Sequence, residues 1–325
     1  MSIDNKSRGA EPRSAGKYGA YLIFFAAMLW ATDAPFRLHL TQTLSSNFIV
    51  LGEHTFDVLC VLPLLLMNFS EIKKLAAKEW LAVAVIAIGG SALASVAFTQ
   101  AFHYVNPSVA ILLQKLQPLL AIGLASTMLK EELSPKFWLW ALAALFGAYL
   151  ISFPGLRPQS YPGEVFNPNL IGVGLALVAA FFWGASTVMG KIVLNKTNFK
   201  VMTALRFCVA WVFLLLLNFT QHSFPVFNQV RALDWLFIAI IAVTSGVVSL
   251  FIYYRGLQDT KASVATLAEL GFPMAAVIVN WIFIPNSALL WPQILGMAIL
   301  LFAVFRLGGE GADKKLSLET AYEPK

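Results

Sequence analysis

The sequence predicts an all-α membrane protein in which ten transmembrane helices form two inverted repeats of five helices each. Three observations lead to this prediction. The apolar residues arrive in long blocks, the basic residues alternate between the linkers, and the second half of the chain repeats the first. Hydrophobic residues make up 58% of the 325 residues and charged residues only 12%, about half the charged fraction of a soluble domain. We therefore expect the chain to lie in a lipid bilayer.

Ten apolar blocks reach the length of about 20 residues that a membrane-crossing helix needs. We number them TM1 to TM10, and they cover approximately residues 18–38, 47–68, 79–103, 107–129, 136–154, 169–190, 199–219, 234–257, 262–284 and 290–307. The chain thus divides into an N-terminal tail, a first repeat, a linker, a second repeat and a C-terminal tail, at residues 1–17, 18–154, 155–168, 169–307 and 308–325. The polar C-terminal tail is expected to be disordered.

The distribution of Lys and Arg predicts the orientation. If the N-terminus is cytoplasmic, the inner segments carry 18 basic residues, the outer linkers carry three, and two lie within spans. Basic residues collect on the cytoplasmic side of membrane proteins. We therefore predict a multi-pass protein of the plasma (inner) membrane with both termini in the cytoplasm and an external linker at 155–168. The alternation also supports the helix count, because one missed helix would scramble it.

An internal repeat relates the two halves. Shifting the chain by 155 residues lays 79–118 over 234–273 without a gap, and ten of the 40 positions are identical. These include Trp80 with Trp235 and Pro118 with Pro273. Because each half holds an odd number of helices, the second half must enter the membrane from the opposite side. Inverted repeats of this kind are common in carriers, whose substrate sites lie near the midplane between the repeats.

Several motifs are similar to those of the drug/metabolite transporter superfamily, and in particular of its EamA family. TM1 and TM6 share an Ala-Ala-x-x-Trp pattern, TM4 and TM9 share Ser-x-Ala followed by Pro, and Lys130-Glu131-Glu132-Leu133 follows TM4. The resemblance implies a secondary active transporter of a small organic metabolite, with export more usual than uptake. Two features depart from the pattern. Pro285-Asn286-Ser287 stands where a second Glu is expected, and Glu53-His54 stands near the usual Arg of the second helix, whereas TM7 keeps Arg206.

Charged residues inside spans are the strongest candidates for the substrate site, because each needs a partner or a water-filled cavity. Lys115 on TM4 and Glu269 on TM9 lie roughly 12–13 Å into their spans, at 1.5 Å per residue. Glu269 aligns with Gln114, the neighbour of Lys115. We predict that these three residues bind substrate, and a Lys–Glu pair suits an amino acid or another zwitterion. The alternative is a static ion pair between two helices.

The remaining candidates fall into three groups. Trp30, Trp183 and Asp33 are predicted to line the cavity, with Tyr253 and Tyr254 as weaker candidates. Glu53, His54 and Asp57 on TM2, together with Glu269, are predicted to couple transport to protons or another ion. Pro118 and Pro273 are predicted to kink their helices beside the charges, and Arg206 is predicted to belong to a structural network. A buried network of Asp33, Glu53 and Arg206 is the alternative to ion coupling by the acids of TM1 and TM2. Asp33 and Arg37 are four residues apart and can pair.

Other classes of function find little support in the sequence. There is no Gly-rich phosphate loop and no His or Cys motif for a metal, so we predict no cofactor, no metal and no enzymatic activity. The basic residues lie in linkers, so no nucleic-acid partner is expected. The expected partners are a small-molecule substrate, the lipid bilayer and H⁺ as a coupling ion, in a monomer or homodimer. Two alternatives stay open: extrusion of lipophilic cationic drugs through Glu269 and the two Trp residues, and a membrane-embedded enzyme or sensor.

Overall fold

The computed structural model describes residues 16–40, 43–101, 104–105, 110, 113–153, 155–156, 170–224, 230–283 and 289–320. Within these ranges the chain is helical and contains no strand. Nine of the described helices are long and apolar enough to cross a membrane, and the shorter apolar helix Gln117–Met128 occupies the predicted place of TM4. The prediction of an all-α membrane protein with ten spans is therefore confirmed.

The helices of the first half follow the predicted order with small shifts. TM1 is interrupted by a 3-10 turn at Ala31–Asp33, and TM3 contains a π-helical segment at Val85–Leu93. The bounds are Gly16–Trp30 and Ala34–Leu40 for TM1, Ser46–Met67 for TM2, Ala77–Ala84 and Ala94–Ala101 flanking the π segment of TM3, Gln117–Met128 for TM4 and Pro135–Ser152 for TM5.

The second half repeats this order. TM8 also contains a π-helical segment, at Ala242–Val248, and TM9 is broken after Ala268. The bounds are Leu170–Leu194 for TM6, Phe199–Thr220 for TM7, Ala232–Ile241 and Ser249–Asp259 flanking the π segment of TM8, Ala262–Ala268 and Gly271–Phe283 for TM9 and Trp291–Thr320 for TM10. The last helix corrects the prediction of a disordered tail. It continues past the apolar block as far as Thr320.

Helix starts are set by local side-chain caps. Ser45, Ser134 and Asn198 accept hydrogen bonds from the backbone N–H groups of the first turns of TM2, TM5 and TM7. TM3 and TM8 begin with the same device in both repeats. The carboxylate of Glu79 accepts a bond from Ala76 N, and that of Asp234 accepts one from Arg231 N. Such caps satisfy N–H groups that have no partner inside the helix.

Contacts between helices follow a pseudo-two-fold relation. TM2 packs on TM7, TM4 on TM9 and TM5 on TM10, so each of these helices contacts its own repeat equivalent. TM1 packs on TM8, and TM6 packs on TM3 in the same way. Since TM1 corresponds to TM6 and TM8 to TM3, these two pairs exchange under the repeat relation. This pattern is what two inverted five-helix repeats predict.

The TM5–TM10 contact depends on two glycines that approach the partner backbone. A Cβ added to Gly147 would lie 2.8 Å from Gly296 O, and one added to Gly296 would lie 2.6 Å from Gly147 O. Real Cβ atoms do not approach a carbonyl oxygen this closely, so any side chain here would separate the helices. Small residues at such positions let membrane helices pack closely, since packing rather than hydrophobicity drives their association.

We expect Gly147→Ala to lower the thermal midpoint of the purified protein by several degrees. Overpacking typically costs about 1–3 kcal/mol, which corresponds to roughly 2–4 °C per kcal/mol in a chain of a few hundred residues. The matched control is Gly174→Ala on TM6, where an added Cβ meets no atom within 4 Å. Thermal unfolding followed by tryptophan fluorescence measures both variants. Equal midpoints for the two would contradict the close packing of TM5 on TM10.

Candidate functional site

TM4 and TM9 are both interrupted at the position where the charged residues were predicted. The backbone leaves the α-helix at Lys115–Leu116 and at Glu269–Leu270. Hydrogen bonds that span three residues replace the four-residue bonds of the α-helix there: Leu116 N donates to Leu113 O, and Leu270 N donates to Leu267 O. Pro118 and Pro273 each stand in the first turn of the helix that follows. We predicted that each proline kinks its helix, but each instead stands in the first turn of a new helix, where its missing N–H costs nothing.

Glu269 stands at the break of TM9 and accepts hydrogen bonds from three other helices. Gln117 Nε2 on TM4 donates to Oε2 at 2.8 Å. Thr187 Oγ1 on TM6 and Tyr253 OH on TM8 donate to Oε1 at 2.9 and 2.7 Å. The Thr187 and Tyr253 hydroxyl oxygens are themselves 3.0 Å apart. We call Glu269 and these three residues the Glu269 cluster. It joins both repeats at the breaks, which is where inverted-repeat carriers place their substrate.

Lys115 is two residues before Gln117 in the sequence, but it is not hydrogen-bonded to the Glu269 cluster. Among the described residues it makes no hydrogen bond and no ion pair, and neither does Gln114. Both side chains are partly exposed. The alternative of a static Lys115–Glu269 ion pair is therefore not what this structure shows, because neutral donors surround the carboxylate. The role of Lys115 and Gln114 in substrate binding stays a prediction.

The two repeat-related tryptophans each pack against an aromatic residue at equivalent positions. The Trp30 ring lies 5.6 Å from that of Tyr253, and the Trp183 ring lies 5.2 Å from that of Phe98. Trp30 corresponds to Trp183, and Phe98 corresponds to Tyr253, so the repeat relation exchanges the two pairs. Trp30 also donates from Nε1 to Ser249 Oγ at 3.0 Å. Tyr253 belongs to both an aromatic pair and the Glu269 cluster, and so joins them.

Asp33 and Glu53 both pair with one arginine, Arg37, near the C-terminal end of TM1. Arg37 Nη2 lies 2.9 Å from Asp33 Oδ2 and 3.0 Å from the Glu53 carboxylate. The predicted Asp33–Arg37 pair is therefore confirmed. The alternative of a network of Asp33, Glu53 and Arg206 is not what this structure shows, because both acids pair with Arg37 instead. Arg37 therefore holds TM1 against TM2.

Arg206 instead links TM7 to the two helices that contain π segments. Its Nε donates to Ser91 Oγ on TM3 at 2.7 Å, and its Nη1 donates to Tyr254 OH on TM8 at 3.0 Å. Ser91 lies within the π segment of TM3. These partners are neutral, so the guanidinium charge is hydrogen-bonded here without a paired carboxylate among the described residues. π segments are rare and are often found at functional sites.

His54 and Asp57 lie on the buried face of TM2, in line with Glu53. The His54 ring bonds Val50 O through Nδ1 at 2.9 Å and packs edge-on against Phe207. The Nε2 atom of His54 and the Oδ1 atom of Asp57 are both buried, and neither has a hydrogen-bond partner among the described residues. The three TM2 residues are therefore neighbours, as the spacing predicted, but only Glu53 is ion-paired.

The sequence analysis did not predict a contact of Glu131, which lies on the membrane side that the basic residues predict to be cytoplasmic. Glu131, just after TM4, accepts bonds from Ala262 N at 2.7 Å, from Ser263 N at 3.1 Å and from Ser263 Oγ at 2.5 Å, all at the start of TM9. A carboxylate at a helix N-terminus also interacts favourably with the helix dipole. The sequence signal for this contact was Glu131 itself, which matches the family motif.

The departure at Pro285-Asn286-Ser287 lies outside the described residues, as do Ser108 and most of the linker 155–168.

Gln117 and Thr187 were also missed, because neutral polar residues are common in membrane helices and their spacing carries no signal. No group of three or more His, Cys, Asp or Glu residues in the described part of the chain could hold a metal.

Comparisons with known proteins agree with this architecture. The model of the EamA-like transporter family matches residues 17–153 and again 170–308. The riboflavin transporter ImpX of Fusobacterium nucleatum is 33% identical over 87% of this chain and 94% of its own length. An uncharacterized transporter of Synechocystis, sll1164, is 23% identical over 76% of this chain and 72% of its own length. One solved crystal structure superposes with a TM-score of 0.71 at 18% identity, over 88% of this chain and 94% of that one.

The two family matches divide the chain at the same linker as the repeat, and each match covers one five-helix half. The family match therefore rests on the same duplication that places TM4 against TM9. The chain belongs to the EamA-like transporter family.

Proposed function

We propose that this transporter moves a small organic metabolite by alternating access, with the substrate bound at the breaks of TM4 and TM9. The observation that carries the proposal is the Glu269 cluster, in which one carboxylate gathers donors from TM4, TM6 and TM8. Irregular backbone at membrane depth is tolerated where it faces protein or a water-filled cavity. Rocking one repeat against the other would open this position to each side in turn.

The leading substrate candidate is riboflavin or a similar planar, uncharged heteroaromatic compound. The first support is the relative named as a riboflavin transporter, which shares 33% identity across nearly its whole length. The second is the site itself, because the Trp30–Tyr253 aromatic pair adjoins the hydrogen-bonding groups of the Glu269 cluster through Tyr253. Aromatic rings stack on flat ligands, and amide and hydroxyl groups suit the polar edge of a flavin ring.

A zwitterion such as an amino acid is the second candidate. The observation that favours it is Lys115, a cation near the midplane with no ion pair among the described residues, close in sequence to the Glu269 cluster. Extrusion of lipophilic cations is a third, and would use Glu269 and the tryptophans but not Lys115. Within each reading we propose export as the direction, following the family resemblance.

Counterflow in proteoliposomes tests these candidates. Vesicles are loaded with unlabelled riboflavin, and the entry of labelled riboflavin from outside is measured, because a carrier exchanges the two faster than empty vesicles fill. Amino acids and tetraphenylphosphonium are then added outside as competitors. Strong exchange with weak competition supports riboflavin. If one class of competitor inhibits the exchange and then shows counterflow itself, that class and not riboflavin is the substrate.

Direction needs intact cells. We expect cells that express the transporter to lose preloaded substrate faster than cells with an empty vector. A matched control is the Glu269→Gln variant expressed to the same level. Faster accumulation from the medium, with unchanged loss, would contradict export.

A further inference from the structure

Asp57 is the most buried acid of TM2, and its environment leaves it without a partner. The residue is 2% exposed. It makes no hydrogen bond or ion pair within the described part of the chain, and its Oδ1 atom is buried. The atom is pressed against the π segment of TM8, since a Cβ added to Gly246 would lie 2.4 Å from it. A glycine is therefore needed for this acid to fit.

The charged groups near Asp57 are already bound to others. Glu53, one turn away on TM2, pairs with Arg37. Arg206 on TM7 makes its hydrogen bonds with Ser91 and Tyr254 and forms no ion pair among the described residues. His54 faces Phe207 with a free Nε2. The π segment of TM8, which covers Asp57, carries no titratable residue.

An ionised carboxylate in such a place is costly. Burying a charge without a pair or hydrogen bonds is far less favourable than burying the neutral acid. The arrangement therefore suits a protonated Asp57. A Ca²⁺ or Mg²⁺ ion is a poor alternative, because these ions take about six or more oxygen ligands, and the described residues include no group of three or more His, Cys, Asp or Glu that could hold a metal.

The repeat relation supplies the other half of the argument. Gly246 corresponds to Ser91 under the 155-residue shift, so the same place in the two π segments faces TM2 in one repeat and TM7 in the other. An acid lies against one segment and an arginine against the other. A shift of TM8 relative to TM2 would uncover the acid, and a shift of TM3 relative to TM7 would release the arginine.

We propose that Asp57 is the proton-binding site that couples this transporter to the proton gradient. In the conformation seen here the Asp57 carboxyl group holds one proton. In the opposite-facing conformation it releases that proton to water, and Arg206 exchanges its neutral partners for the resulting carboxylate. No other bond forms or breaks. This inference rests on the proposed carrier mechanism, of which it specifies the coupling ion.

Infrared spectroscopy tests the protonation without any substrate. Purified protein in nanodiscs at neutral pH should show the C=O stretch of a protonated carboxyl group, and Asp57→Asn should lose that band. Asp259→Asn is the matched control, because Asp259 is ion-paired with Arg255 at the end of TM8. An identical band in wild type and Asp57→Asn would overturn the assignment, whatever the transporter carries.

Transport measurements test the coupling. In proteoliposomes with an imposed pH gradient, wild type should drive riboflavin above the equilibrium ratio on one side, and Asp57→Asn should bring the ratio only to one. Riboflavin counterflow, which needs no net proton movement, should persist in Asp57→Asn and shows that the variant is folded. Asp57→Glu should restore gradient-driven accumulation with a shifted pH dependence. Accumulation by Asp57→Asn against the gradient would overturn the proposal, whereas failure of counterflow in wild type would instead reject riboflavin as substrate.

Discussion

We expect Glu269→Gln to lower substrate exchange by about 100-fold or more while the protein still inserts and folds. The carboxylate accepts bonds from Gln117, Thr187 and Tyr253. An amide keeps the shape but loses the charge, and its NH₂ group turns a donor toward other donors. A hydrogen bond to a charged group contributes about 1.5–3 kcal/mol, so the loss of one or two bonds from the carboxylate to the substrate would account for the expected fall, at about tenfold for each 1.4 kcal/mol.

Initial rates of counterflow at equal amounts of reconstituted protein measure this effect. Glu71→Gln is the matched control, since Glu71 makes an exposed ion pair with Lys74 and makes no contact with the Glu269 cluster among the hydrogen bonds and ion pairs of the described residues. Thermal midpoints of both variants separate loss of function from loss of fold. Exchange by Glu269→Gln at more than a tenth of the wild-type rate would remove Glu269 from the substrate site.

The second large effect is expected at Lys115. We predict that Lys115→Ala lowers exchange of riboflavin or of a zwitterion at least about tenfold, because the ammonium group would donate to a carbonyl or carboxylate oxygen of the substrate, and one charge-assisted bond is worth about 1.5–3 kcal/mol. Lys115 makes no ion pair among the described residues, so its removal should leave no unpaired carboxylate behind. Stability should therefore change less than transport.

Lys136→Ala, at the exposed start of TM5, controls for the loss of one positive charge. The substrates separate the readings. If exchange of tetraphenylphosphonium is unchanged in Lys115→Ala while riboflavin exchange falls, Lys115 contacts the neutral or anionic substrate. Normal exchange of every substrate class by Lys115→Ala would place this residue outside the transport path.

The sequence carried the architecture because hydropathy, charge alternation and the repeat all act over long stretches. Ten blocks predicted the described helices to within a few residues at most ends. The alignment of Glu269 with Gln114 predicted polar residues at matching depth in TM4 and TM9, and the structure has a backbone break beside each of them. Such features are sums over many residues, so local exceptions do not erase them.

Contacts between particular side chains were harder to predict. Arg37 lies near a membrane surface in sequence, and its two acidic partners depend on how TM1 leans against TM2. The π segments of TM3 and TM8 leave no clear mark in the sequence, although they decide which residues face Arg206 and Asp57. Hydropathy reports how deep a residue lies but not which neighbour it meets.

The pairing of TM2 with TM7, TM4 with TM9 and TM5 with TM10 has a consequence for the origin of the chain. A surface that binds its own repeat equivalent is self-complementary, as in a two-fold dimer. Gly147 and Gly296 illustrate this, because each offers its carbonyl to the other. A single five-helix half therefore already carries both sides of these contacts. A shorter ancestor that inserted in both orientations could have assembled with itself, and fusion of two copies would then have let one carry the arginine and the other the acid.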